Sequence, residues 1–239
     1  MKKNLILFLL LSSNCLFAQN WLRVTYEATM TLDESKSTNE KKIQRTFIPT
    51  TYELTINNQL SQFHYVEKIN NYQGDAIVSM VNQKEDIFID LNLQSIFYKE
   101  EIANNMYLIS KKTDDLEWKI DRQTHKMFGY NVKKANLIWI EDGIEDKIEA
   151  FFTPDIPLKH GPKGLGNLPG LILSLNIYTE MDTAEVLGIH YKMTNIEILE
   201  KEPKITLPKG KNISYEESIK LWNELFKKLD ENRSQGIEK

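Results

Sequence analysis

The 239 residues carry 41% hydrophobic and 27% charged side chains and a net charge of −4, which excludes a disordered or fibrous chain. Lysines and arginines are scattered, so no basic face offers the phosphate contacts on which nucleic-acid binding depends.

Met1-Lys2-Lys3, the apolar run Leu5 to Leu11, polar Ser12-Ser13-Asn14 and Ala18-Gln19 have the charged, apolar and cleavage regions of a secretory signal peptide. Residues 1–18 are therefore expected to be removed on export, and 19–239 to form one domain. The apolar run is far shorter than the roughly 20 residues a transmembrane anchor needs. Lipid attachment at Cys15 is the alternative, but Asn14 stands where a small residue is wanted. Cleavage at Ala18 removes the only cysteine, leaving no disulfide, thiolate metal site or Cys nucleophile.

From Trp21, apolar Leu22, Val24, Tyr26, Ala28, Met30 and Leu32 alternate with polar residues, predicting a half-buried strand. A polar hairpin loop is expected over Asp33 to Lys42. Shorter strands follow at Ile43 to Ile56, Phe63 to Lys68, Ala76 to Val81, Ile87 to Leu91, Ile96 to Tyr98 and Met106 to Ile109, separated by turns such as Asn57-Asn58-Gln59 and Tyr72-Gln73-Gly74-Asp75. Later strands are Asn131 to Ile140, Ile148 to Thr153, Leu171 to Tyr178 and Ala184 to Met193. This short, regular spacing favours hairpins and an antiparallel sheet. Near the C-terminus Tyr215, Ile219, Trp222, Phe226 and Leu229 recur every three or four residues, predicting an amphipathic helix whose aromatic stripe packs on the sheet. Ser214 and Glu217 stand at capping-box spacing before it. The fold class is mainly β: a curved antiparallel sheet or open half-barrel with a C-terminal amphipathic helix.

Glycine and proline total 17, and eight of them fall between Pro154 and Gly170. Each proline fixes its own φ and biases its predecessor to extended geometry, so this stretch cannot be helical and makes a poor central strand. Pro169-Gly170 suits the central positions of a type II turn, with Gly170 at positive φ, launching the strand from Leu171.

The sequence Asn167-Leu168-Pro169-Gly170-Leu171-Ile172 resembles the hexapeptide of the GLPGLI family of exported proteins. Thr153, Ile156, Pro157, Gly161 and Pro162 match elements that precede that hexapeptide in the family. Trp118, Ile120, Thr124, Gly129, Tyr130, Lys134 and Ala135 resemble a second, upstream motif. Asn167 replaces a glycine, and Asn tolerates left-handed geometry better than other non-glycine residues. Val132 stands where many relatives carry cysteine. The resemblance implies an exported, strand-rich domain similar to the open half-barrels of periplasmic lipoprotein carriers, and no established activity.

The chemistry is sparse. His64, His125, His160 and His190 show no metal-ligand spacing, and no serine elbow or phosphate-binding loop is present. No cofactor is expected. Asp121 with His125 and Asp155 with His160 are acid-histidine pairs that could support general-base hydrolysis, although neither comes with a nucleophile, and His160 before Gly161-Pro162 reads as an exposed loop residue. The 4 Trp, 10 Tyr and 10 Phe could line an apolar groove or simply fill a core. The expectation is an exported, non-enzymatic binding or interaction module facing a lipid-like ligand or an envelope protein. Its rivals are a hydrolase at one of those two pairs and a purely structural envelope protein.

Overall fold

The computed structural model describes residues 21–33, 45–67, 77–79, 86–113, 116–141, 144–180, 186–207 and 209–236. The expected signal peptide, most of the polar loop after Asp33 and the Tyr72-to-Asp75 turn lie outside these residues.

Among the described residues the strands are β1 (Trp21–Asp33), β2 (Arg45–Phe47), β3 (Thr50–Ile56), β4 (Leu60–Val66), β5 (Ile77–Ser79), β6 (Asp86–Asp90), β7 (Ser95–Ile102) and β8 (Asn105–Lys112). They continue with β9 (Lys119–Met127), β10 (Tyr130–Glu141), β11 (Ile144–Thr153), β12 (Leu171–Glu180), β13 (Val186–Leu199) and β14 (Lys211–Ser214). Among the described residues the one α-helix, α1, is Tyr215–Gly236. The predicted Ile43-to-Ile56 strand is two strands. Pro49 cannot donate to a ladder, and β2 pairs instead with β5 in a separate parallel ribbon.

Twelve strands form one open sheet in the order β14-β8-β7-β6-β4-β3-β1-β13-β12-β11-β10-β9. All pairs are antiparallel except β14 with β8. The central strand β1 thus carries one meander on each side: β3, β4, β6, β7 and β8, edged by β14, make one wing, and β9 to β13 the other.

This connectivity forces the sheet to curl. β8 and β9 stand ten places apart in the strand order, about 48 Å across a flat sheet at about 4.8 Å per strand. Yet β8 ends at Lys112 and β9 starts at Lys119, and seven extended residues reach only about 24 Å. The wings must therefore face each other. Register shifts at Thr25/Tyr26, Lys133/Ala135 and Phe151/Phe152 supply bulges, which bend strands and increase their twist.

The alternation of β1 appears as burial: Leu22, Val24, Tyr26 and Ala28 are fully enclosed while Glu27 is exposed. Tyr26, Tyr52, Phe63 and Tyr191 meet in the core, with Tyr52 and Phe63 stacked at 4.9 Å and Tyr191 edge-on to both. These large aromatics fill the trough rather than leaving a groove at its centre.

The helix begins as expected. Ser214 N–H donates to Glu217 Oε2 (2.8 Å) and Glu217 N–H to Ser214 Oγ (3.2 Å), a reciprocal capping box. The aromatic stripe is only partly covered, however. Ser218 is buried, but Phe226 is 56% and Leu229 47% exposed. A 22-residue helix is about 33 Å long, while β14, its neighbour at the sheet edge, has four residues; the helix overshoots its support. Among the described residues no helix is long and apolar enough to cross a membrane.

Candidate functional site

The peptide between β11 and β12 leaves the sheet at Thr153, runs out and returns. Its outward arm alternates: Ile156, Leu158 and His160 are buried, whereas Pro157 and Lys159 are exposed. A 3-10 turn at Pro162–Gly164 forms the tip. The two arms bond each other and β12: Asn167 N–H to Lys159 O (3.2 Å), Leu171 N–H to Ile156 O (3.0 Å) and Ile172 N–H to His160 O (3.1 Å). Tyr26 Oη, from β1, donates to Ile172 O at 2.6 Å. Ile172 can bond on its other edge because β13 pairs with β12 only from Ser174 onward. Burial pushes the Tyr26 phenol far above its ordinary pKa, so it remains a hydrogen-bond donor.

Glycine sits in this peptide where a side chain has no room. A Cβ on Gly170 would lie 2.1 Å from Thr153 O, and one on Gly166 2.4 Å from Lys159 O. Near Gly161 a Cβ would meet Ile172 Cδ1 at 2.6 Å. The expected type II turn is not formed. Gly170 has φ +156°, and its N–H bonds Leu168 O at 2.7 Å, closing a three-residue turn around Pro169. Asn167 takes the left-handed position, at φ +63°.

The second stretch of motif residues is tied to the first. Trp118 Nε1–H donates to Gly166 O at 2.8 Å. Ala135 is fully buried and pairs with Ile120, whose side chain is exposed. Phe128 and Gly129 both have positive φ between paired Met127 and Tyr130, as a two-residue type I′ hairpin requires. Thr124 is exposed on β9. Lys134 bonds Glu149 across to β11 at 2.6 Å, and that bond holds its pKa above the ordinary lysine value.

Neither acid-histidine pair is assembled. Asp121 and His125 are exposed on edge strand β9, on either side of the irregularity opposite Lys133/Ala135. Asp155 is exposed and accepts from Asn131 N–H (3.0 Å) and Asn131 Nδ2 (3.3 Å). His160, expected on an exposed loop, is fully buried, and neither ring nitrogen has a hydrogen-bond partner. Burial lowers its pKa to about 4, against a weaker opposing pull from the Asn57 backbone. The reason is the alternation of the arm, which carries position 160 inward with 156 and 158. His190, on a strand rim, lies 3.1 Å from Asn176 Oδ1 and 2.9 Å from Thr31 Oγ1.

Beside the peptide tip a half-open cavity of about 430 Å³ lies between the two wings, inside the usual range of small-molecule pockets, about 300–1,000 Å³. Ile87, Ile89 and Ile96 come from one wing, Ile148 and Ile177 from the other, and Leu165 from the peptide. A Cβ on Gly164 would lie 3.4–3.8 Å from all three isoleucines of the first wing, so the tip spans the trough. Tyr98 and Trp139 border the cavity. Lys99, Lys111, Lys112, Lys159 and Lys163 also line it, with Asp86 and Asp146 the acids. Pattern reading did not assemble this group, because its members come from well-separated segments of the chain.

A family model described as a protein of unknown function (Porph_ging) matches residues 140–174, which hold β11, the crossing peptide and the start of β12. No curated protein sequence matches the chain. Among solved structures, PNGF-II in two crystal forms aligns over 84% of this chain, at 18% and 19% identity with TM-scores of 0.51 and 0.53. This chain spans about a third of those PNGF-II chains, 33% and 32%, and the likeness is one of fold. A LolA superfamily protein from Nitrosomonas europaea aligns over 83% of this chain and 96% of its own, at 9% identity and a TM-score of 0.30, too loose a superposition to establish a common fold.

Proposed function

We propose that this chain is a GLPGLI-type protein, exported through a signal peptide at residues 1–18, that acts as a non-enzymatic binding module of the cell envelope and holds a lipid-like ligand between the wings of its sheet. The cavity of about 430 Å³ walled by isoleucines carries this reading. The isoleucine walls leave apolar surface in contact with water at this cavity, and a ligand that covers it gains the free energy of removing that surface from water. The motif residues Thr153, Ile156, Pro157, Gly161, Pro162, Leu168, Pro169, Gly170, Leu171 and Ile172 then serve as the scaffold that holds the peptide against the cavity, and Trp118, just before β9, braces it. The scattered acid-histidine pairs favour binding over hydrolysis at those residues.

Native mass spectrometry of the protein purified from its own envelope tests this. The expected result is a retained small molecule of lipid-like mass, released by organic extraction. Recovery of a stoichiometric protein partner and no small molecule would replace the ligand reading with the interaction reading.

A further inference from the structure

We propose, resting on the cavity reading above, that the occupant is a single-chain amphiphile with an anionic head, a carboxylate or a phosphate. Its tail lies against the isoleucine walls and its head among Lys99, Lys111, Lys112, Lys159 and Lys163. The chain as a whole is acidic, at −4, yet five lysines and only two acids border this cavity. Both acids are already engaged: Asp86 accepts from Gln62 Nε2 (2.9 Å) and Asp146 from the Thr179 hydroxyl. The lysines converge from β7, β8 and the crossing peptide, a local reversal of sign that the composition does not anticipate.

The lysines are held differently. Lys111 Nζ lies 5.1 Å from the Trp139 ring centroid and 4.5 Å from that of Tyr215, which fixes a positive charge beside the cavity. Lys112 Nζ donates to Leu93 O at 3.1 Å. The side chains of Lys99 and Lys159 are exposed and have no carboxylate partner among the described residues. A cationic head would be repelled here, and a neutral one would leave these charges unused. The cavity, at about 430 Å³, has room for on the order of 14 water-sized groups at about 30 Å³ each, enough for one tail of a dozen carbons.

The test compares four ligands with one tail, below their micelle concentrations, by calorimetry on the purified protein: dodecanoate, dodecyl phosphate, dodecanol and dodecyltrimethylammonium. Both anions are expected to bind about tenfold or more tightly than dodecanol, the size several exposed ion pairs reach together, with the cation weakest. The Lys99→Gln/Lys159→Gln double variant should lose most of that preference, read as the ratio of anion to dodecanol affinity within the variant. Ile96→Trp, at a half-buried wall position, should weaken all four. The ratio of the two anions distinguishes a fatty-acid-like from a phospholipid-like source. Equal binding of all four, or an anion preference untouched in the double variant, overturns the head assignment and leaves the cavity reading standing. Failure of every ligand to bind removes both.

Discussion

His160 carries an unpartnered imidazole into the core, and this residue ties acid sensitivity to the crossing peptide. Its folded-state pKa is about 4 against an ordinary 6.5, so the unfolded chain takes up a proton at higher pH than the folded one. Stability is then highest above pH 6.5, falls as pH drops from 6.5 to about 4, and levels below that. A difference of that size is worth about 3 kcal/mol. Because neither nitrogen has a well-formed hydrogen bond and the Asn57 backbone pulls only weakly, an apolar side chain of similar volume loses little polar interaction. His160→Leu should therefore be within about 1 kcal/mol of the parent at pH 7.5, or more stable, and should lose about 3 kcal/mol less than the parent between pH 7 and pH 4. Urea midpoints at several pH values measure this. Parallel pH curves for the two proteins would show that another group controls the acid response.

At the scale of elements, the crossing peptide is defined by close backbone approach. Gly170 is its tightest point, where a Cβ would press on Thr153 O and Thr153 C at 2.1 and 2.6 Å. Both atoms are backbone and cannot rotate away. Gly129 in the β9–β10 hairpin has positive φ but open space around it. Gly170→Ala should thus cost about 3 kcal/mol or more, and Gly129→Ala about 1 kcal/mol, its φ penalty alone. Similar urea midpoints for the two variants would remove close approach as the reason for glycine at 170. The same contrast explains what the sequence disclosed. Strands with one apolar face were legible: β1 through Leu22, Val24, Tyr26 and Ala28, and β13 through Tyr191 and Met193. Edge strand β9 was not, because eight of its nine residues are exposed and no apolar alternation marks it. Nor was β14, whose four residues bury Ile213 alone. The Pro/Gly peptide announced itself as irregular backbone. That Trp118 reaches Gly166 across 48 positions is a fact of three-dimensional closure, as is the convergence of Lys99 and Lys159 on one cavity.

For the whole molecule, the curl of the sheet separates amides that ligand binding protects from those it does not. β1 lies between β3 and β13 over residues 22–28, with Leu22, Val24, Tyr26 and Ala28 fully enclosed, so its amides there should exchange only when the whole fold opens. β9, paired on one side and solvent-exposed, should exchange by local fraying. A ligand that binds only the folded state adds RT ln(1 + [L]/Kd) to global stability, about 2.7 kcal/mol at a hundredfold excess over Kd, and β1 amides should gain that full amount. The arms of the peptide from Lys159 to Asn167 border the cavity, so any opening that releases them also breaks ligand contacts, and they should gain protection with β1. Fraying of β9 leaves the ligand in place, and its amides should gain nothing. Hydrogen exchange read by mass spectrometry, with and without saturating dodecanoate, distinguishes these classes. Protection that rises at β1 but no more at 159–167 than at β9 would place the ligand away from the peptide, and with it the link between this Pro/Gly crossing and binding would be lost.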